Sequence, residues 1–305
     1  MSAWIEIADF SATRWPNERA AQACRDLEAG RILFFRDVPF LFPAADREFL
    51  LSQKQAESRF HKNISYRPKS DAIHGVQGKG PERDRLQQVM RDYSHNVTAF
   101  TAALLAPYAG KFHLDFASFR PLQEQGRDLA THRRNDLLHV DSFPTRPMWG
   151  NRILRIFTNI NPTEPRDWVT GRPFHAIAPE LAAAAGLPTF AKRWHSPAGR
   201  MQSTLLRGLK SVGLPVTHRS GYDQFMLHFH DWLKFNEAFQ KRQDHQPSSF
   251  PPGCTWMVFT DGVPHAALSG RYALEQTLIV PRSALVAPEF APVNVLEKLA
   301  GISLT

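Results

Sequence analysis

His139 and Asp141 stand two residues apart in the stretch LLHVDSFPTRPMWGNRILRIFTNINP, residues 137–162. In an extended chain, residues i and i+2 project from the same face. An imidazole and a carboxylate at that spacing can therefore converge on one metal ion. Two histidines and one carboxylate with open coordination positions are the ligand set of non-haem Fe(II) oxygenases. The third ligand expected is His265, in FTDGVPHAALSGRYALEQTLIVP. It follows one β segment and precedes another, which places it just past a strand end, at the mouth of a barrel. Alone, His-x-Asp is a weak signal, and ordinary hydrogen-bonded histidines beside turns are the competing reading.

Other candidate clusters carry less. His228 and Asp231 share a helical face but His230 does not, so with Trp232 nearby the segment reads as a packed helix. Cys24 and Cys254 are not spaced for zinc. There is no GxGxxG or P-loop, and GVQGKGPER lacks the strand-then-helix context of a phosphate cradle.

Iron in such a site needs an electron-donating cosubstrate. 2-Oxoglutarate chelates through its keto-acid end and needs a cation for its distal carboxylate. The planar fork of arginine binds a carboxylate through two parallel bonds. In NRILRIFTNI the even positions Leu154, Ile156 and Ile160 are oily, while the odd positions mix Ile153 and Phe157 with Arg155 and Asn159. That is the pattern of a barrel wall facing a polar ligand. Arg155 is the first candidate and Arg271, just before the last strand, the second, with Arg152 on the opposite face. A surface salt bridge is an equal alternative for each arginine. The case for Arg155 is that a buried arginine needs an anion and its neighbours on the strand offer no carboxylate.

The elements that position these residues read as α+β. Residues 1–111 form a mixed α/β part, with helices over 18–28, 44–55 and 86–109 and a strand in ILFFRDV (32–38). Residues 66–85 read as a surface loop or lid. Residues 112–165 and 251–285 form the barrel core, ending in a hairpin turned at Ser269-Gly270. Residues 178–245 are expected to be a helical insertion, from PELAAAAGL through GYDQFMLHFHDWLKFNEAFQ. The 305 residues fit a single domain. A formal charge of +8 points to an anionic partner: nucleic acid, membrane surface or acidic small molecule. Two cysteines suggest no disulfide framework and fit a reducing cytoplasm. No apolar run is long enough for a signal peptide or a membrane span.

RNDLLHVDSFPTRP, GNRILRIFTNINPTEPR and PPGCTWMVFTDGVPHAALSGRYALEQTLIVP together resemble the Kdo hydroxylase family. The resemblance covers most of residues 130–285. It implies a double-stranded β-helix of the jelly-roll (cupin) type with flanking helices. It also implies an Fe(II)- and 2-oxoglutarate-dependent dioxygenase that uses O2 to hydroxylate the Kdo sugar of lipopolysaccharide at C3. The metal ligands carry over as His139, Asp141 and His265. In the wider superfamily the 2-oxoglutarate arginine commonly lies roughly ten residues past the distal histidine. Here that place falls at Glu275 or Gln276, which favours Arg155 over Arg271. The basic charge then serves an anionic sugar or lipid-linked substrate, with peripheral contact at an anionic inner-membrane surface and no nucleic acid. Two alternatives stay open: a non-catalytic cupin-like module for an anionic sugar or lipid, and a metal-dependent isomerase or hydrolase on the same barrel.

Overall fold

Arg152–Asn159 alternates between two faces and forms β6, near the middle of an eight-stranded sheet. In chain order the other strands are β1 (Trp4–Glu6), β2 (Ile32–Phe35), β3 (Ile64–Arg67), β4 (Ala72–His74), β5 (His113–Arg120), β7 (Arg166–Thr170), β8 (Gln246–Phe250), β9 (Thr255–Phe259), β10 (His265–Ala267) and β11 (Ala273–Val280). The large sheet runs β1-β2-β9-β6-β11-β5-β3-β4, and a second sheet runs β10-β7-β8. All pairings are antiparallel except β1 with β2. The structure, a computed structural model, describes residues 4–8, 15–53, 63–76, 78–126, 128–197, 201, 204, 208 and 217–305.

The two sheets pack face to face through aromatic rings. Trp256 on β9 stacks on Phe250 of β8 with centroids 3.9 Å apart, and Trp168 of β7 meets Phe157 of β6 edge-on at 4.9 Å. Such ring pairs add about 0.5–1.5 kcal/mol each beyond their buried area. The outer face of the large sheet carries Leu154 and Ile156 of β6. It is covered by the helices Asn17–Glu28 and Pro81–Leu104, which contribute Leu27, Val89, Tyr93 and Val97. A third apolar cluster joins Val140, Ile153 and Ala266 to the helices Phe174–Ala184, Gly221–Phe235 and Pro292–Ala300. The result is an α+β double-stranded β-helix of jelly-roll type with flanking and inserted helices.

Two local expectations change. Within 66–85 the chain is not a loop: β3 and β4 pair with each other, and the next helix begins at Pro81. Gln77 lies outside the described residues, as do Lys54 and Gln55 at the end of the expected 44–55 helix. Residues 265–280 are not a hairpin. β10 pairs with β7 and β11 with β6 and β5, so the chain crosses between sheets at Gly270. Gly270 has φ +97°, and a Cβ there would lie 2.7 Å from the Cα of Arg166. Only glycine allows that crossing.

Over 178–245 the described residues hold the helices Phe174–Ala184, Leu187–His195, Gly221–Phe235 and Glu237–Gln240, and β8 begins at Gln246. Residues 198–200, 202–203, 205–207 and 209–216 lie outside the described set. The buried face of Gly221–Phe235 is Tyr222, Phe225, Met226, Phe229 and Leu233, whereas Phe235 is exposed. Ser220 caps that helix, its hydroxyl accepting from the Asp223 N–H while the Asp223 carboxylate accepts from Ser220 N–H.

Candidate metal centre

Two segments meet at the site. The chain around His139 runs antiparallel to β10: His139 N–H donates to His265 O at 3.2 Å and His265 N–H to His139 O at 2.9 Å. Asp141 N–H donates to Thr260 O at 2.9 Å, which extends the contact by two residues. This bridge brings one ligand-capable atom each from His139, Asp141 and His265 within 4.8 Å of one another, all three residues being buried.

The imidazoles are oriented for coordination. Nδ1 of His139 lies 2.7 Å from Leu137 O, and Nδ1 of His265 lies 2.9 Å from Val263 O. A carbonyl only accepts, so each Nδ1 carries the proton and each Nε2 presents a lone pair. Hydrogen bonds of this kind fix the tautomer of metal-binding histidines. Burial holds both imidazoles below their usual pKa, His139 well below, so both are neutral. Burial pushes the Asp141 carboxyl up, but Arg155 and His139 outweigh it and hold the group well below the usual range. The donor set is thus two neutral nitrogens and a carboxylate, and Asp141 Oδ2 is buried with no hydrogen-bond partner. That chemistry fits a divalent iron ion.

Arg120, Arg155 and Arg166 line the same cavity with Trp168 and the ligand triple. Arg120 is fully engaged: Nε donates to Glu275 at 3.0 Å and Nη1 to Glu124 at 2.8 Å. Arg155 is held by ion pairs, its Nε 3.3 Å from Asp141 Oδ2 and its Nη1 3.4 Å from Glu275 Oε1, with the Nε contact outside hydrogen-bond geometry. Arg166 is buried on β7, with Nη1 donating to Gly270 O at 2.8 Å, Glu124 no nearer than 4.0 Å, and Nε unpartnered. Burial lowers its pKa to about 10, an effect that Glu124 opposes and Arg120 reinforces. Three cations face three carboxylates: Asp141, Glu124 and Glu275. A divalent metal adds two positive charges, and a dicarboxylate such as 2-oxoglutarate restores the balance. The Nε of Arg166, buried and without a hydrogen-bond partner, is a donor that such a group could satisfy.

Two expectations about arginine are corrected in their premises. Arg155 does not lack a carboxylate nearby, because β6 pairs with β11 and Glu275 sits opposite Phe157, two residues along. Arg271 is not among the residues lining the cavity. Its guanidinium lies 4.8 Å from the centre of the Tyr272 ring, and its Nε donates to Pro121 O. Arg152 does face away from the cavity, in a buried pair with Asp261 at 2.7 Å. His228 and His230 bind the carbonyls of Ala185 and Val140 separately. Arg120, Glu124, Arg166 and Glu275 escaped sequence reasoning. The one signal available was the alternation of RDWVT, with Arg166, Trp168 and Thr170 on one face.

Comparison with known proteins gives consistent results. The family model for 3-deoxy-D-manno-oct-2-ulosonic acid (Kdo) hydroxylase matches residues 11–303. Solved structures of the Kdo hydroxylase KdoO, a non-haem Fe(II) α-ketoglutarate-dependent dioxygenase, are 33% identical and cover 99% of this chain and 97% of their own. The complex with α-ketoglutarate and Fe(III) superposes with a TM-score of 0.82, the cobalt(II) complex with 0.84 and the apo form with 0.83. No curated protein matches the chain.

Proposed function

The chain belongs to the Kdo hydroxylase family, and from that premise we propose how its residues divide the work. It is a non-haem Fe(II)/2-oxoglutarate-dependent dioxygenase that hydroxylates Kdo. His139, Asp141 and His265 hold the iron. Arg155 and Arg166 bind the distal carboxylate of 2-oxoglutarate, and Arg120 holds Glu124 and Glu275 so that neither competes for the metal. Iron and 2-oxoglutarate, with O2 as cosubstrate, supply the oxidising power; the protein supplies position and a dry pocket. Trp168 stacks on the His265 ring at 5.1 Å, which fixes that ligand and shields it from water.

The whole chain acts as one dioxygenase domain, since the N-terminal strands β1 to β4 are edges of the sheet that carries the site. The hydroxylated carbon is C3, as the family resemblance implies. The substrate is Kdo linked to its lipid, reached by peripheral contact with an anionic membrane surface from the cytoplasmic side. The net charge of +8 supports that contact. Among the described residues no helix is long and apolar enough to cross a membrane.

The observation that carries this reading is the convergence of His139, Asp141 and His265 within 4.8 Å in one cavity that also holds Arg155 and Arg166, the Nε of Arg166 having no hydrogen-bond partner. Purified protein supplied with Fe(II), 2-oxoglutarate and Kdo-bearing lipopolysaccharide is expected to couple O2 uptake to succinate release. Mass spectrometry should show one added oxygen on Kdo. Succinate formation without that oxygen would defeat the substrate assignment, and no succinate at all would defeat the reaction.

A further inference from the structure

A cavity of about 360 Å³, lined by Lys69, His113, Asp115, Phe116, Arg146 and Met148 among others, opens beside the metal pocket. Its size is within the range of small-ligand sites. Its charges do not balance. Lys69 and Arg146 stand against the carboxylate of Asp115, which pairs with Arg146. A third cation, Arg67, lies 5.0 Å from the centre of the Phe116 ring, and its Nε is buried with no hydrogen-bond partner. One aromatic ring joins this cavity to the metal site. Phe143 has Arg146 4.2 Å from its centre and Arg155 5.4 Å from it.

The wall beyond Met148 is held rigid. The N–H groups of Met148 and Trp149 both donate to Asp223, at 2.6 and 3.2 Å. Trp149 takes a left-handed φ of +54° with its side chain 40% exposed. A bulky residue at positive φ is strained and persists only where its surroundings enforce it. The cavity therefore sets the cations Lys69 and Arg146 against a rigid wall at Met148, a surface for a ligand that carries an anionic group.

We propose that this cavity is a second substrate subsite. It takes an oxyanion of the Kdo glycolipid, a phosphate or the carboxylate of a neighbouring acidic sugar, while the reacting Kdo sits at the metal. The proposal rests on the Kdo hydroxylase reading and adds how the enzyme grips the rest of its substrate. Arg146 and Lys69 bind the oxyanion, and Asp115 holds Arg146 in place before it arrives.

The test is a calorimetric titration of the protein loaded with cobalt(II) and 2-oxoglutarate, so that no turnover occurs. The ligands are Kdo-bearing lipopolysaccharide, the same material after phosphatase treatment, and free Kdo. Arg146→Ala and Lys69→Glu should each weaken binding of the intact glycolipid by about tenfold, the size of one charged hydrogen bond, with free Kdo unaffected. Lys69 is exposed, so its substitution leaves the core intact. If phosphatase treatment weakens wild-type binding equally, the oxyanion is a phosphate; if it does not, the oxyanion is a carboxylate. Intact glycolipid bound as tightly by both variants as by wild type would overturn the subsite. So would free Kdo weakened as much as the glycolipid. Failure of the wild-type iron enzyme to oxidise Kdo would overturn the activity instead, and the titration still decides the cavity.

Discussion

Two clusters of arginine and carboxylate teach opposite lessons. On the surface, Arg172 and Arg242 face Glu180 and Asp244. Arg242 meets Glu180 at 2.6 Å and Asp244 at 2.8 Å, and Arg172 meets the same pair at 2.8 and 3.0 Å. Two charges of each sign complete one another, in water. Inside the barrel, Arg120, Arg155 and Arg166 face Asp141, Glu124 and Glu275. Their charges also match in number, but their contacts are incomplete: Arg166 Nε has no hydrogen-bond partner, and Arg155 Nε and Asp141 Oδ2 meet only as an ion pair at 3.3 Å, outside hydrogen-bond geometry. Buried polar groups are normally satisfied, and an unmatched one costs far more in the interior than at the surface. The better-bonded cluster is thus the less consequential. On the proposed function the incomplete one holds the chemistry, its missing partners being a metal and a dianion.

The sharpest break of the inner cluster is loss of a metal ligand. His265→Ala or His139→Ala should weaken cobalt(II) binding by more than about 100-fold, since removing even an outer-shell partner costs about 10–100-fold. Binding within tenfold of wild type would mean the metal lies elsewhere. Next is Glu275→Ala, which leaves Arg120 and Arg155 facing each other without their shared carboxylate. Breaking a buried pair this way costs about 3–5 kcal/mol, to be read by urea denaturation of the metal-free protein. A loss below about 1 kcal/mol would show that the cluster relaxes like a surface one. Smaller again, Arg166→Ala and Arg155→Ala should each raise the 2-oxoglutarate KM by about 10–100-fold, the worth of a charge-assisted hydrogen bond, with cobalt(II) affinity kept. Arg271→Ala is the control. A raised KM there, with normal values at Arg155 and Arg166, would move the cosubstrate site.

These differences also explain what could be read from the chain. His139 and Asp141 were legible because i, i+2 spacing is a local rule, and His265 because it followed a β segment. Arg152–Asn159 was legible from its alternation, and Pro81–Leu104 from Val89, Tyr93 and Val97 at helical spacing. Arg120 and Arg166 were not legible, because strand pairings unknown from the sequence put Arg120 beside β11 and Arg166 on β7 beside β10, the strand that bridges to His139. The pairing of Glu275 with Arg155 was missed for the same reason: it depends on which strand lies next to β6. The apparent hairpin at Ser269-Gly270 failed because a glycine that turns a chain back and one that carries it between sheets leave the same local mark.

The smallest effect tests the outer cluster and gives the comparison its scale. Arg242→Ala removes close contacts to both Glu180 and Asp244. Exposed pairs gain little, because water screens them and ordering long side chains opposes them. The urea midpoint of Arg242→Ala should therefore match wild type within error, and 1 M salt, which cuts the Debye length to about 3 Å, should leave both alike. The pH dependence has a definite sign. The hydrogen bond from Arg242 holds the Asp244 carboxyl down at about 2, against an ordinary value of 3.8. A depressed carboxylate contributes its stability above the higher of these values and loses it as pH falls towards the lower. Any difference between Arg242→Ala and wild type should thus be confined to neutral and mildly acidic solution and vanish as pH falls from about 4 to about 2. A large destabilisation of Arg242→Ala at neutral pH, surviving 1 M salt, would put this network on the same footing as the buried one and remove the basis for telling a structural charge cluster from a functional one by its unmet bonds.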